Sequence, residues 1–514
     1  MKLLFLLRLV RQSPLGLVRK QFIGHPIALF VLLLLAVVRI SATGAEKSSL
    51  LDAPTPTAEQ SIDTEPPPKD FSQKYQVRVS TNAPPAVDSS GNVTNARPEG
   101  IHWDLSWGGW NGLYMSVTRY SRLKTPRELL GLPPLSSNMN GLHFEQLKMS
   151  AKITATLELD GAAYATTGNL DLANGIELRR ARLKAAGDCI VILPVSYEIE
   201  LGYIPNKFNL NKAWISTEHI DYIGYVKAGV FAPPMGLDML TSSRDLTFME
   251  PASVLQALAP GNAAGIQIGQ PFLHQRGTWE LGIFGGGIIA TEYGNASQDF
   301  GNLMGRFTFL VIDHIDPENP GDNRYLHVGM SGSAQYSASS AVQFRSRPES
   351  YVATHVIDTG VIDAKTAGTL AAELAYVNGP FTVQGEFLDS RVRENDGEAL
   401  NFWGFYGAAS WYLTGESRPY NPAEGYFKRL VPLRNFNFGK GGAWGAFEVG
   451  GRFSYTDLNS GDIHGGSMGL AMGEVNWYLH SHVRWMFDAG AGHVTGGKFD
   501  GRLALFQTRI GVDF

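Results

Sequence analysis

Between Leu147 and Asp160 the chain alternates without a break. Leu147, Met149, Ala151, Ile153, Ala155, Leu157 and Leu159 are apolar, and Lys148, Ser150, Lys152, Thr154, Thr156, Glu158 and Asp160 are polar. Successive side chains of a strand point to opposite faces, so one face of this segment is apolar and the other polar. A soluble strand runs about 5–6 residues, whereas a strand tilted by about 45° needs roughly 9–11 to cross a bilayer. The pattern returns at Val195–Tyr203, Phe447–Thr456 and Val483–Ala489. One such strand also suits a soluble sandwich. Many long ones, with no apolar run of helix-spanning length after residue 100, predict an all-β fold: a transmembrane antiparallel up-and-down β-barrel.

The first 45 residues have a different character. They hold Lys2, Arg8, Arg11, Arg19, Lys20 and Arg39, no acidic residue, an apolar run from Ile27 to Val38, and then Ser41-Ala42-Thr43-Gly44-Ala45. Basic, apolar, then small is the order of a secretory signal peptide, and the run is too short for the roughly 20 residues of a spanning helix. An uncleaved anchor helix is the alternative. Removal of residues 1–45 leaves 37 basic side chains against 48 acidic ones, a formal charge of −11 that argues against nucleic acid as a partner. Residues 46–100 carry Pro66-Pro67-Pro68 and Ala83-Pro84-Pro85 among small polar residues. With so little apolar surface to offset ordering entropy, they predict a disordered, Pro-rich periplasmic linker. The barrel is expected over 101–514.

Connections fit a meander. Val377–Phe381 and Leu479–Val483 predict short turns, and Arg393–Asn401 and Asn459–Ser467 predict long polar loops. If there are 16 strands, residues 101–514 give about 26 residues per strand and connection, a reasonable spacing for a barrel that encloses an aqueous channel. The final segment, Gly501–Phe514, places Phe506, Thr508, Ile510, Val512 and Phe514 on one face and Arg509, Gly511 and Asp513 on the other. A membrane-length last strand lets the barrel close and removes an edge that lipid could not satisfy.

Several stretches resemble the phosphate-selective porin O/P family. They are Leu178-Arg179-Arg180-Ala181-Arg182-Leu183, Gly236-Leu237-Asp238 with Thr241-Ser242-Ser243, Leu246–Glu250, Phe344-Arg345-Ser346-Arg347-Pro348-Glu349, the run from Leu413 to Glu448, and Asn476-Trp477-Tyr478-Leu479. They occur in family order over residues 175–514. The resemblance implies a 16-stranded homotrimeric outer-membrane porin whose inward-folded loops form a cation-lined constriction. It also implies small anions such as phosphate as solutes. A terminal Phe514 resembles the signal read by the barrel assembly machinery, and lipid is the expected surroundings of the outer face.

Candidate pore residues lie in three segments. On Gly175–Gly187, Arg180, Arg182 and Lys184 share a face, and cations facing lipid would cost about 2–4 kcal/mol each near midplane, so that face is expected in the lumen. Arg179 falls on the opposite phase, and only the resemblance carries it to the constriction. Pairing of these cations with Glu198 and Glu200 as scaffold is the competing reading. Arg345 and Arg347 share a side if the chain is extended there, and the guanidinium fork suits phosphate oxygens. The resemblance folds Glu416–Gly442 inward with Arg418, Lys428, Arg429 and Arg434; a solvent-exposed basic loop is equally open. Met239 and Pro251 stand where phosphate-specific members carry cations, which favours a broader anion or general solute channel.

Other motifs point to no site. Phe284-Gly285-Gly286-Gly287 and Gly439-Lys440-Gly441-Gly442 lack nucleotide-loop spacing. His480 and His482 have no carboxylate or Cys company in sequence, so neither metal nor cofactor is expected. No nucleophile, base and acid are arranged recognisably, so no enzyme is expected. The Trp residues, among them Trp411, Trp444, Trp477 and Trp485, suit interfacial girdles. Two competitors stay open: a non-selective or mainly structural outer-membrane barrel, and a secreted all-β carbohydrate-binding protein.

Overall fold

The long alternating segments form strands that each bond to the next. Sixteen close into a ring in the computed structural model: β1 His143–Thr166, β2 Gly175–Ile190, β3 Pro194–Ile204, β4 Lys207–Ile220, β5 Gly224–Phe231, β6 Ala263–Phe272, β7 Gly277–Gly285 and β8 Phe300–His314, then β9 Arg324–Tyr336, β10 Ile362–Asn378, β11 Phe381–Glu394, β12 Ala399–Tyr412, β13 Ala446–Ser460, β14 Ile463–His480, β15 Val483–Thr495 and β16 Gly501–Asp513. Every pair is antiparallel, and β16 returns to β1 with Leu503 opposite Thr166 and Asp513 opposite Thr156. The structure describes residues 76–77, 100–107, 112–122, 143–190, 194–204, 207–285, 300–316, 321–337, 341–439 and 442–514. The expected signal peptide and nearly all of the expected linker lie outside them.

Closure is finished by Phe514, whose amide donates to the Ala155 carbonyl at 3.0 Å while its own carbonyl accepts from the Ala155 amide at 2.8 Å. The ring itself starts at His143. A hairpin of Gly100–Trp107 and Leu113–Arg122 pairs with residues 143–153 of β1, on the same edge, just past the point where β16 ends. Among the described residues no helix is long and apolar enough to cross a membrane, so strands alone can do so.

Alternation sorts the faces as expected. Leu157 and Leu159 lie on the outside while Glu158 and Asp160 are buried inside; Phe506 and Ile510 are outside while Gln507 and Arg509 are inside. The turn at Gly379-Pro380 is short, as expected, with Gly379 at φ 56°. The expected long loops at Arg393–Asn401 and Asn459–Ser467 are not loops. Both stretches are mainly strand: β11 and β12 are joined by Asn395–Glu398, and β13 and β14 by Gly461-Asp462, with Gly461 at φ 55°. Polar residues there belong to strand ends beyond the apolar band, so polarity alone mistakes strand for loop. Glycine supplies the positive φ that a two-residue hairpin turn demands.

The barrel is not hollow throughout. Residues 232–262 turn inward from the rim opposite Phe514 and carry two short helices, α1 Leu237–Leu240 and α2 Ser253–Leu258. Residues 341–361 enter from the same rim, and residues 413–431 from the Phe514 rim. Met235, Phe248, Val254, Leu255, Val356 and Ile357 pack on inward wall residues Phe284, Leu388, Phe402 and Leu470, forming an apolar core inside the ring. Strands facing this core are apolar on both sides, which explains why strict alternation is lost along β12 and β14.

The wall makes a testable demand. Leu370, midway along β10 and 66% exposed, faces outward. Leu370→Arg is expected to lose about 2–4 kcal/mol of folding free energy in a bilayer, with Leu370→Val near neutral. Heat-modifiable gel mobility along a urea titration in vesicles measures both.

Candidate functional site

Where the loops leave space, a cavity of about 420 Å³ lies against the wall made by β1 to β4. Eight cationic side chains line it, Arg179, Arg180, Arg182, Lys184, Lys212, Arg244, Arg345 and Arg347, against four carboxylates, Glu198, Glu200, Asp238 and Glu250. A smaller cavity of about 40 Å³ lies at the Phe514 rim and shares Thr156 and Arg244 with the first. Arg244 therefore stands at the junction of two successive spaces. Arg418, Lys428 and Arg429 line the second one.

The wall cations reach the lumen for two reasons. Arg182 and Lys184 follow simple alternation. Arg179 does not: Glu158 pairs with Arg180 and Leu159 with Leu178, so Arg179 is the extra residue of a β-bulge. A bulge re-aims side chains, and here adjacent arginines both turn inward and are buried. The lipid-side phase expected for Arg179 is thereby corrected. A second bulge, at Asn211 between the pairs Glu200–Lys212 and Leu201–Leu210, puts Asn211 and Lys212 on the lumen side together.

Glu250 is the clamp that sets the loop against this wall. Arg179 grips it bidentately, Nε to Oε1 at 2.8 Å and Nη2 to Oε2 at 2.9 Å. Arg509 of β16 donates to it as well and holds Asp160 with two bonds of 2.7 Å. Arg180 pairs with Glu158 and lies 3.8 Å from Glu250. Burial alone would raise the Glu250 pKa, but Arg179, Arg180 and Arg509 together outweigh it and hold the carboxyl well below its ordinary value of 4.5. The rest of the loop is fastened through its backbone. Glu386 accepts the amides of Leu237 and Asp238 at 2.8 and 2.9 Å, Asp488 accepts that of Met249 at 3.1 Å, and Arg484 and Asn476 donate to the carbonyls of Leu246 and Thr247 at 2.6 and 2.7 Å.

The other expected residues divide into four kinds. Arg182 and Lys184 face Glu200 at 3.4 Å and Glu198 at 3.8 Å while lining the cavity, so they combine pairing with exposure to the lumen. Arg345 has no ion-pair partner among the described residues, and Arg347 stacks on Tyr351 at 4.4 Å, the ring on which Arg179 also lies at 3.5 Å. His355 lies beside them, and burial, then Arg347 and Arg345, push its pKa down to about 4. Arg418 is buried, pairs with Glu448 at 3.7 Å and donates to the Asp245 carbonyl at 2.6 Å, so it braces the loop. Arg429 and Arg244 both hold Asp513 at the Phe514 rim. Arg434 corrects an expectation: it is exposed on a part of the chain that has left the lumen, and it lines neither cavity. Arg244 and Lys212 escape a reading of the sequence. Arg244 directly follows the Thr241-Ser242-Ser243 stretch, and Lys212 is hidden by its bulge.

A closed sixteen-strand ring with loops folded inward around a charged, solvent-accessible gap is the architecture of an outer-membrane porin. The model of the family described as "Phosphate-selective porin O and P" matches residues 152–504, and the chain belongs to that family. A Caulobacter vibrioides protein is 26% identical over 387 residues, covering 71% of this chain and 74% of its own. Porin O of Pseudomonas aeruginosa is 21% identical over 376 residues, covering 66% and 80%. Among solved structures, an anion-selective porin from Comamonas acidovorans aligns with a TM-score of 0.46 at 12% identity, over 71% of this chain and 100% of that one. The protein is a porin of the bacterial outer membrane.

The clamp predicts its own failure. Glu250→Gln keeps the shape but removes the charge that offsets three buried arginines; breaking such a pair costs about 3–5 kcal/mol. Single-channel recordings are expected to show larger current fluctuations as residues 232–262 loosen; unchanged traces would deny the clamp. Because the folded-state pKa of Glu250 is depressed, its stabilisation is complete above about pH 4.5 and is lost as pH falls through the lowered value. Wild-type noise should therefore stay flat from neutral pH down past 4.5 and rise only below.

Proposed function

We propose that the channel passes small hydrophilic solutes by passive diffusion and prefers anions of the phosphate type. The observation that carries this is the cavity lining, where eight cations meet four carboxylates and Arg345 has no ion-pair partner among the described residues. In a narrow space with low-dielectric walls, such an excess concentrates anions and repels cations without any covalent step. The guanidinium groups keep their charge at every working pH and offer forked donors to phosphate oxygens. Arg345 and Arg347 would receive the anion from the rim opposite Phe514, Arg180, Arg182 and Lys184 would carry it along the wall, and Arg244 and Arg429 would pass it to the Phe514 rim. Met239 and Pro251 also line the cavity and offer no charge, which supports moderate rather than tight phosphate binding. Assembly through Phe514 and a homotrimeric state belong to the same reading on the resemblance, and cleavage of residues 1–45 on their basic, apolar and small order.

A weakly selective channel is the second reading. It is favoured by the pairing of Arg182 with Glu200 and of Lys184 with Glu198, which cancels part of the excess.

Reversal potentials across planar bilayers in a chloride gradient separate the two. Anion preference is expected for the wild type and a shift toward cations for Arg345→Glu and Arg180→Glu; cation preference in the wild type would remove the anion claim. Millimolar phosphate should reduce chloride current, less so in Arg345→Glu.

Acidification adds a further check. His355 is neutral at working pH because its pKa is lowered, and it gains charge as pH falls through about 4. The comparison is with His355→Asn, which should show the smaller rise in anion preference below pH 4.

A further inference from the structure

The segment between β12 and β13 divides at the rim. Its first part is inside: Glu416, Arg418, Tyr420 and Phe427 are buried, and Arg306 of the wall donates to the Gly425 carbonyl at 2.7 Å. The chain then leaves the lumen at Pro432, where the Leu433 amide donates to Glu416 Oε1 at 3.0 Å. Beyond Pro432 it lies on the outside of the barrel. Phe436 is bonded through its amide to the Leu479 carbonyl at 2.8 Å and packs edge-on against Trp477, with ring centroids 5.3 Å apart. Trp477 is outward, since its neighbours Asn476 and Tyr478 are the buried, lumen-facing residues of β14.

This outer segment is strongly apolar. Val431, Leu433, Phe438 and Trp444 are exposed, Phe438 by 94%. It is also continuous with the lipid-facing wall. The Trp477 indole donates to the Trp444 carbonyl at 2.6 Å, and the same indole stacks on Phe447 on one side and Trp485 on the other. The wall aromatics and the segment thus form one continuous surface, on which Arg434, Asn435 and Asn437 are exposed polar side chains.

We propose that residues 431–439 and 442–444 are an interfacial foot, seated at the headgroup–acyl boundary of the membrane leaflet that surrounds the Phe514 rim. This rests on the outer-membrane porin assignment. Phospholipid is the occupant that the surface fits. Aromatic side chains with one apolar body and one polar atom settle at that depth, and the segment carries on from a wall that lipid already covers. Exposed Arg434 beside Leu433 would meet headgroup phosphate, its stem along the acyl chains and its guanidinium outward. The foot also explains why so long a connection is kept at a rim of otherwise short turns: half of it braces the lumen and half braces the membrane.

The test uses the full chain in phosphatidylcholine–phosphatidylglycerol vesicles, in a Cys189→Ser background, with a nitroxide at Phe438→Cys. Labels at Leu370→Cys on the wall and Asp396→Cys in an exposed turn are the references. Oxygen should broaden the Phe438→Cys signal nearly as well as that of Leu370→Cys, while a water-soluble nickel complex should reach it several-fold less than Asp396→Cys. Nickel access equal to that of Asp396→Cys would place the segment in water and overturn the proposal. Spin–spin broadening that disappears on dilution with unlabelled protein would overturn it in favour of a second copy of the chain. Retained conductance and heat-modifiable mobility of each labelled protein keep a failure of the foot distinct from a failure of the porin assignment.

Discussion

Inside a bilayer no water is present to take up a free amide or carbonyl, so every backbone group must find its partner within the protein. The β16–β1 seam answers that demand, and everything else is hung on it. With Leu503 opposite Thr166 and Phe514 bonded both ways to Ala155, the last unpaired edge of the ring is gone. Once the wall is complete, its inner face is free to carry charges that would be ruinous on the outer one.

Those charges do two kinds of work, and the division is physical. Arginines with a carboxylate on each side, such as Arg509 between Asp160 and Glu250, fasten a loop to the wall. Arginines whose partners are few, such as Arg345, face the open space. Gripping is done by full neutralisation, and where neutralisation is incomplete the charge is left facing the cavity. The same side-chain type serves both, which is why a list of lumen cations says little until their partners are known.

How much of this is legible in the sequence depends on the scale of the signal. The barrel class, the two faces of β1 and β16, and the short turn at Gly379-Pro380 follow from periodicity and turn chemistry, which are local, while the count of sixteen comes with the family likeness. Arg180, Arg182 and Lys184 are legible for the same reason. The inward loops come only through family likeness, because a loop's fold-back is decided by partners far along the chain, as Glu250 is by Arg179 and Arg509. Asn459–Ser467 passes for a loop because strand ends above the lipid band are polar on both faces. Arg434 is misplaced because charge does not say on which side of a rim a segment lies.

The bulge at Arg179 has a consequence for how such a strand can change. Before it, even-numbered residues of β2, Ile176 and Leu178, face outward; after it, odd-numbered ones do, Ala181 and Leu183. The extra residue is a point where the strand's parity resets. Loss of one residue at that spot would leave both halves facing as they do now, while loss of one elsewhere would turn everything beyond it inside out. Length variation within β2 is therefore tolerable at a single place, the place that also presents a doubled arginine to Glu250.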